Sequence, residues 1–508
     1  MSSTYTTFIG LEVHVQLATE SKLFCGCSTQ FGAEPNTQTC PICIGMPGTL
    51  PVMNPKAYEL SLKTAVALNC EIPEFTKWDR KQYYYPDLPK GYQISQYDLP
   101  MSDHGHLEIT SDKGQFEPKR VRITRVHLEE DAGKSIHDEG PGTAVAGKAD
   151  SEIDLNRTGT PLLEIVSEPD MRSSAEAKTF LQELKLLLTY LGVSDCNMQE
   201  GSLRVDANVN LHIDTPEGKI ATPIVEIKNM NSFRAVERAL DYEAERQYRV
   251  WQETGQKLGD APKQTRGWDD AAGVTRGQRS KEESSDYRYF PDPDLVPVIT
   301  TPEQVEKVKA SLGELPAQLR TRLTTDFGLS LYDADVLVNQ GRELFGYYLK
   351  VAKLSGDAKT ACNWVTQDVL RVLKKRNYTI QQFVEKTGID AKWLADLIEK
   401  VRSKKLTKDQ AQQAIDAKTG HIEVSVVRFL ELKDSVEVVI EKLGLKQVHE
   451  SELETLCQEL LDKNPKIVAD LQRGKHQAIG ALIGQAKQRN PNVDPNRVRE
   501  ICLKLIQQ

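Results

Sequence analysis

At 508 residues the chain is too long for one hydrophobic core, and roughly two to four domains are expected. A composition of 39% hydrophobic and 27% charged residues is that of a globular protein; no run approaches the ~20 apolar residues of a membrane span, and the opening MSSTYTTF has neither the basic start nor the apolar run of a secretory leader, so a cytoplasmic protein, or in a eukaryote an organellar one, without membrane association is expected. The net charge of −8 argues against bulk coating of nucleic acid, yet the stretch from Asn464 to the end holds eight lysines and arginines against three acidic residues, a net +5.

In FIGLEVHVQL, at residues 8 to 17, Ile9, Leu11, Val13, Val15 and Leu17 alternate with Gly10, Glu12, His14 and Gln16. Strand geometry puts Glu12 and His14 together on the face away from the apolar stripe. TRVHLEEDAG at 124 to 133 and TPLLEIVSEPD at 160 to 170 also set acidic groups beside apolar ones. Carboxylates and an imidazole from separate strands suit a hard cation such as Mg²⁺, and such a cation suits phosphate transfer from a nucleotide. Ordinary solvated strand faces are the alternative.

Cys25, Cys27, Cys40 and Cys43 form C-x-C followed by C-x2-C, while Cys70, Cys196, Cys362, Cys457 and Cys502 stand singly. The odd count without a leader disfavours a disulfide framework. Two close pairs across a loop suit tetrahedral, structural Zn²⁺, against the alternative of small buried hydrophobes. KWDRKQYYYPDLPKGYQISQ, at 77 to 96, interleaves Arg80, Lys81 and Lys90 with three tyrosines and suits a phosphate or an RNA end, or else a solvated loop. GTAVAGKA at 142 to 149 has the phosphate-loop spacing, but Ala149 stands where a hydroxyl is required, and AGKS at 132 to 135 lacks the upstream glycine, so both are coincidences.

One clear helix is expected before residue 297, starting near Ser173 and Ser174 and ending at Gly192. EGSLRVDANVN, at 200 to 210, gives a strand with Arg204 and Asp206 on one face, and IVEIKNMNSF, at 224 to 233, offers Glu226 and Lys228. The stretch 265 to 295, with Arg276, Arg279, Lys281 and Arg288, reads as a mobile flap. Beyond Pro297 helical spacing dominates, in LFGYYLKVAKL, NWVTQDVLRVLKK, KWLADLIEKVR and VSVVRFLEL. Thr407 with Gln410 and Ser451 with Glu454 fit capping boxes, and Asn464-Pro465 and Asp494-Pro495 fit caps followed by proline. The fold expected is α+β: a largely antiparallel sheet cradle over 1–297, a helical domain over 298–438 and a small helical tail over 439–508.

The ordered series IGLEVHVQL, CPICIGMPG, YYYPDLPKGYQISQ, HLEEDAGKS, NRTGTPLLEIVSEPD, EGSLRVDANV, EIKNMNSFRAVERAL and RSKEESSDYRYFPDPDL closely resembles the B subunit of the heterotrimeric aspartyl/glutamyl-tRNA amidotransferases, GatB. The likeness continues through GLKQV and GKHQAIGALIGQ into a YqeY-like tail. It implies a ligase activity: ATP phosphorylates the side-chain carboxylate of a mischarged Glu-tRNA(Gln) or Asp-tRNA(Asn), and ammonia displaces phosphate. The partners it implies are an amidase A subunit, which takes ammonia from glutamine, and a small C subunit. No serine-rich amidase signature occurs in this chain.

Carried onto this sequence, the resemblance puts a Mg²⁺ site at His14, Glu130 and Glu164, with Glu12, Glu129 and Glu226 around a second, looser cation position. Lys81, Tyr83, Tyr85, Lys90, Ser95 and Gln96 would line the pocket for ATP or the aminoacylated tRNA end. Glu130, Glu164, Lys81 and Lys90 would act in catalysis. Arg204 and Asp206 are further substrate-binding candidates, which a buried structural ion pair also explains. Lys475, Lys487, Arg489 and Arg497 would meet tRNA phosphates. Two features depart from the family: the segment 137–151 is longer, and the four cysteines occur only in some members. Two competing readings are a noncatalytic tRNA-binding scaffold with structural metals and a stand-alone ATP-dependent carboxylate ligase.

Overall fold

A computed structural model of the chain describes residues 5–111, 114–137, 151–278, 287–420, 430–445, 450–472, 476–490 and 492–507. The chain divides into two compact units, Met1–Pro316 and Ala317–Gln508.

The first unit is built on a nine-stranded sheet. Its strands are β1 (Tyr5–Gln16), β2 (Ser102–Ile109), β3 (Lys119–Glu130), β4 (Pro161–Ser167), β5 (Leu203–Thr215), β6 (Gly218–Ala221), β7 (Val225–Lys228), β8 (Gln264–Asp269) and β9 (Val274–Gly277). They lie in the order β9-β8-β7-β5-β1-β4-β3-β2, with β6 a hairpin on β5. Every pairing is antiparallel except β7 with β8. The alternation in β1 is realised as expected: Ile9, Leu11, Val13 and Val15 are at most 1% exposed, and Glu12, His14 and Gln16 occupy the other face, half-buried. Burying side chains of this size contributes about 1.5–3 kcal/mol each, so the apolar stripe fixes which face of β1 is left for chemistry.

Three helices supply the first unit's apolar cover: α1 (Pro55–Ala67), α2 (Ser174–Tyr190) and α3 (Phe233–Thr254). The helix α2 starts at the expected place, where the Ser173 side chain accepts the Glu176 N–H at 3.2 Å. The helices α1 and α3 go beyond the single helix expected. Asn54 caps α1 by accepting the Lys56 N–H at 2.9 Å, with Pro55 following as the first helical residue. Ser232 caps α3, and Gly255, at φ +68°, ends it. Phe180, Leu184 and Leu188 of α2 join Val236 and Leu240 of α3 and the inner stripe of β1 in one core. A small sheet of Phe290–Pro291, Asp79–Gln82 and Tyr92–Ser95 packs on β3 through the last of these strands. The helix Pro302–Ser311 packs against α1.

The second unit is helical. Arg342–Ser355, Ala391–Arg402 and Lys408–Lys418 are regular, and Ala358–Trp364 runs through a π-helical turn at Val365–Val369 into Leu370–Arg376. The capping box of Thr407 and Gln410 forms in both directions. Ser451 instead lies inside the helix Glu450–Lys463. Asp494 caps Pro495–Gln507 by accepting the Asn496 N–H at 2.7 Å. Leu453, Cys457, Leu460, Leu482, Val498 and Cys502 form a core of their own in the tail. Most of VSVVRFLEL lies outside the described residues. All nine cysteines are free thiols; Cys196, Cys362, Cys457 and Cys502 are buried and Cys70 is half-buried.

Candidate functional site

The register of three neighbouring strands builds the site. In β1, β4 and β3, His14, Glu164 and His127 fall in one row across the sheet. Glu12 and Glu129 share that face one pleat away. His14 Nε2 lies 3.4 Å from Glu164, 3.5 Å from Glu12 and 3.8 Å from Glu129, and His127 Nε2 lies 3.5 Å from Glu164. The far oxygen of Glu164 faces Arg125 at 3.5 Å. Two overlapping sets, Glu12–His14–Glu164 and His127–Glu129–Glu164, each bring one donor atom per residue to within 4.8 Å of the others.

The electrostatics are those of a face short of positive charge. Burial, then the Glu164 charge, pushes Glu129 up to about 7 and raises Glu12. Burial would lower His14, but its hydrogen bond to Glu164 and the charges of Glu129, Glu164 and Glu12 outweigh it and push the imidazole up to about 9. Burial holds His127 down to about 4, so its ring is neutral. Glu164 stays well below the usual carboxylate range because His127, His14 and Arg125 overcome its burial. Among the described residues, none is hydrogen-bonded to the buried Nδ1 atom of His127. Crowded oxygen donors, a neutral imidazole and carboxyls raised by burial and then by mutual repulsion fit a hard divalent cation.

Lys81 and the tyrosines stand beside this face. The Lys81 ammonium is 5.0 Å from the Tyr287 ring centre and 5.9 Å from that of Tyr83. Burial alone would lower Lys81, but Glu129, Tyr289 and Glu164 raise it, so it remains a cation. Tyr83 donates to Gln93 at 3.2 Å, Tyr85 is exposed, and the Ser95 hydroxyl lies 3.4 Å from Glu129.

Other expected residues are placed elsewhere. Glu130 does not join His14 and Glu164: consecutive strand residues point to opposite faces, and Glu129 takes the place expected of Glu130. Glu130 instead pairs with Lys90 and accepts the Ile94 N–H at 2.8 Å, and both charged groups line a cavity of about 70 Å³ shared with Cys25 and Cys43. Gln96 is buried and holds backbone, accepting the Leu128 N–H at 3.1 Å. Glu226 is engaged by Lys228 and Lys263, each at 3.5 Å, and does not reach the acidic row. Asp206 pairs with Lys228, and Arg204 lies 2.8 Å from Asp131, so each has its own partner and the two do not form one ion pair with each other. The stretch expected to be a mobile flap is instead sheet at its start, because Gln264–Asp269 and Val274–Gly277 pair as β8 and β9, where Arg276 lies 2.8 Å from Asp269; Arg279 and Lys281 lie outside the described residues. In the tail, Lys487 pairs with Asp409, Arg489 with Glu459 and Arg497 with Glu500, at 2.7–3.0 Å, and Lys475 lies outside the described residues. His127 is the site residue that the sequence reading passed over.

The Sγ atoms of Cys25, Cys27, Cys40 and Cys43 lie within 4.8 Å of one another. Tetrahedral Zn²⁺ with ~2.3 Å bonds requires sulfurs about 3.8 Å apart, so four thiolates here could hold zinc with little movement. The Cys40 N–H already points at Cys43 Sγ, 3.2 Å away. A hydrogen bond from Cys25, against the effect of burial, holds the Cys43 thiol down to about 4. Gly45, at φ +73°, lets this loop lie on Lys90, where a Cβ would meet the lysine side chain at 2.5 Å.

A polar sheet face with a metal-fit cluster is followed along the chain by a helical unit. The family model for the GatB/GatE catalytic domain matches residues 7–306, and that for the GatB domain matches residues 346–506. The chain belongs to the GatB family of amidotransferase components. It is 57% identical over 501 residues to the GatB protein of the aspartyl/glutamyl-tRNA(Asn/Gln) amidotransferase of Rhodopirellula baltica, covering 99% of this chain and 97% of that one. The protein of the same name from Thermodesulfovibrio yellowstonii is 42% identical over 99% of this chain and 100% of its own length. That from Moorella thermoacetica is 46% identical over 95% of each.

Proposed function

We propose that this chain, assembled with an amidase A subunit and a small C subunit in the cytoplasm, activates the side-chain carboxylate of Glu-tRNA(Gln) or Asp-tRNA(Asn) with ATP. Ammonia released from glutamine then displaces phosphate, leaving Gln-tRNA(Gln) or Asn-tRNA(Asn). Activation is needed because a carboxylate is anionic and has no good leaving group until an acyl phosphate is made. The observation that carries this reading is the His14–Glu164–His127 row flanked by Glu12 and Glu129.

Mg²⁺ at that row would neutralise the charge of the terminal phosphates during transfer. Ionised Glu164 and neutral His127 are the donors already in the right protonation state, and Glu129, oriented by Ser95, adds a further oxygen. Lys81, kept cationic by the acidic face, would hold phosphate oxygens from the side of the tyrosines, and Tyr83 and Tyr85 offer rings to a base or ribose. Four thiolates at Cys25, Cys27, Cys40 and Cys43 would hold structural Zn²⁺ behind the Lys90–Glu130 pair. The tail cations, in exposed pairs worth about 0–1 kcal/mol, exchange partners readily and would meet tRNA phosphates.

The test is Glu164→Gln in the assembled enzyme. We expect tRNA binding to persist and tRNA-dependent ATP cleavage to disappear; unchanged ATP turnover would remove the acidic row from the chemistry. A scaffold that only bound tRNA would show no such cleavage even in the wild type.

A further inference from the structure

Lys22 is fully buried, at 0% exposure, three residues before the first cysteine of the cluster. Its ammonium donates to the Gln38 carbonyl at 2.7 Å and the Leu155 carbonyl at 3.4 Å, and stands 3.7 Å from Cys43 Sγ. Among the described residues no carboxylate is paired with it. A cation taken out of water with only carbonyls around it is costly, and a buried lysine normally meets an anion. The four cysteines present the converse problem: four thiolates on Zn²⁺ carry a net charge of −2 in a half-buried loop.

The surroundings of Lys22 show a position built for this charge. Gln38 belongs to the loop between the two cysteine pairs, and Leu155 belongs to the segment that clasps that loop. In the clasp, Asn36 donates to the Ile153 carbonyl at 2.9 Å, the Gln38 N–H donates to Asn156 Oδ1 at 2.8 Å, and Asn156 donates to the Glu34 carbonyl at 2.7 Å. The ammonium therefore sits where ligand loop, clasp and Cys43 converge, with one N–H for each.

We propose that Lys22 is the charge partner of the metal held by Cys25, Cys27, Cys40 and Cys43, donating to the Cys43 thiolate and thereby setting how firmly zinc is retained. It is a positioning residue for the metal loop and takes no part in the ATP chemistry. Outer partners of metal ligands commonly change metal affinity by about 10–100-fold. This inference rests on reading the four cysteines as a zinc site, and the two fail separately: a wild-type chain without zinc sinks the site, whereas zinc in the wild type and unaltered retention in the variant sinks only the role of Lys22.

The experiment uses the full chain in wild-type, Lys22→Met and Lys22→Arg forms. Zinc loss to excess EDTA is followed with a chromogenic zinc indicator, and Co²⁺-substituted protein is examined by absorption spectroscopy. Lys22→Met is expected to release zinc about tenfold faster or more. Its thiolate-to-cobalt charge-transfer band should move to longer wavelength, because a sulfur relieved of its donor gives up electrons more readily. Lys22→Arg keeps the charge and should stay near the wild type in both readouts. A folded Lys22→Met variant with wild-type release and spectrum would overturn the proposal. If Lys22→Met does not fold, a folded Lys22→Arg variant with wild-type zinc retention and spectrum supports it, and rapid zinc loss from that variant overturns it. Failure of both variants to fold in zinc-supplemented medium would assign Lys22 to the fold rather than to the metal and would also overturn it.

Discussion

Two adjacent glutamates of β3 should answer the same substitution with opposite signs. Glu129 is buried on the acidic face, where burial and the Glu164 charge push its carboxyl from 4.5 up to about 7. That difference means that keeping Glu129 ionised costs the magnesium-free fold ~3 kcal/mol. A carboxyl whose folded value lies above its unfolded one imposes no penalty below about pH 4.5, a growing one through pH 7 and the full amount beyond it. Glu129→Gln removes the charge at nearly constant volume, so without magnesium the variant should melt roughly 3–6 °C above the wild type at pH 8 and level with it at pH 4.5. Glu130→Gln instead deprives Lys90, whose side chain is 6% exposed, of its partner. Breaking a buried pair costs about 3–5 kcal/mol, so this variant should melt well below the wild type at pH 8. Scanning calorimetry across that pH range reads both. A Glu129→Gln variant that melts lower at pH 8, or a Glu130→Gln variant that loses nothing, would refute the assignment of the two side chains to opposite faces.

Magnesium binding should release protons, because His14, pushed up to about 9, must be neutral to coordinate; affinity should therefore rise between pH 6.5 and 9. Calorimetric titration in two buffers of different ionisation enthalpy checks this, and identical heats would count against His14 as a ligand. The chain should retain about one zinc equivalent through dialysis under reducing conditions, with a lower melting temperature after stripping; elemental analysis showing none would return the four cysteines to core packing. Deleting residues 439–508 should weaken tRNA binding and flatten its salt dependence while glutamine hydrolysis by the assembled enzyme survives. Unchanged affinity at both low and high salt would make the tail a structural appendage.

The parts legible in the sequence were those set by local period and chemistry. The alternation of Ile9, Leu11, Val13 and Val15 fixed the chemical face of β1, and Ser173 fixed the start of α2. The long helix α3 was missed because its buried face is made largely of small residues, Ala235, Ala239 and Ala244, among many charges, which hides an apolar stripe. The cap of α1, Asn54-Pro55, has the same form as the tail signals that were read. At the site, motif resemblance carried Glu130 beside His14, while the parity of the strand VHLEE puts His127 and Glu129 on one face and Glu130 on the other. That parity was available in the sequence and would have found His127 as well. The row of His14, Glu164 and His127 depends on a register between strands far apart in the chain, which no local pattern encodes.

The central claim, that ATP activates the tRNA-borne carboxylate on this chain, is tested most directly by withholding ammonia. The assembled enzyme is incubated with γ-labelled ATP, Mg²⁺ and mischarged Glu-tRNA(Gln) or Asp-tRNA(Asn), with neither glutamine nor ammonium present, and hydroxylamine is added to trap an acyl phosphate. The account predicts ADP formation that depends on the mischarged tRNA, together with a side-chain hydroxamate on the tRNA-borne amino acid, and neither product with Glu164→Gln. ATP cleavage indifferent to tRNA, or formation of AMP and pyrophosphate in place of ADP, would contradict it.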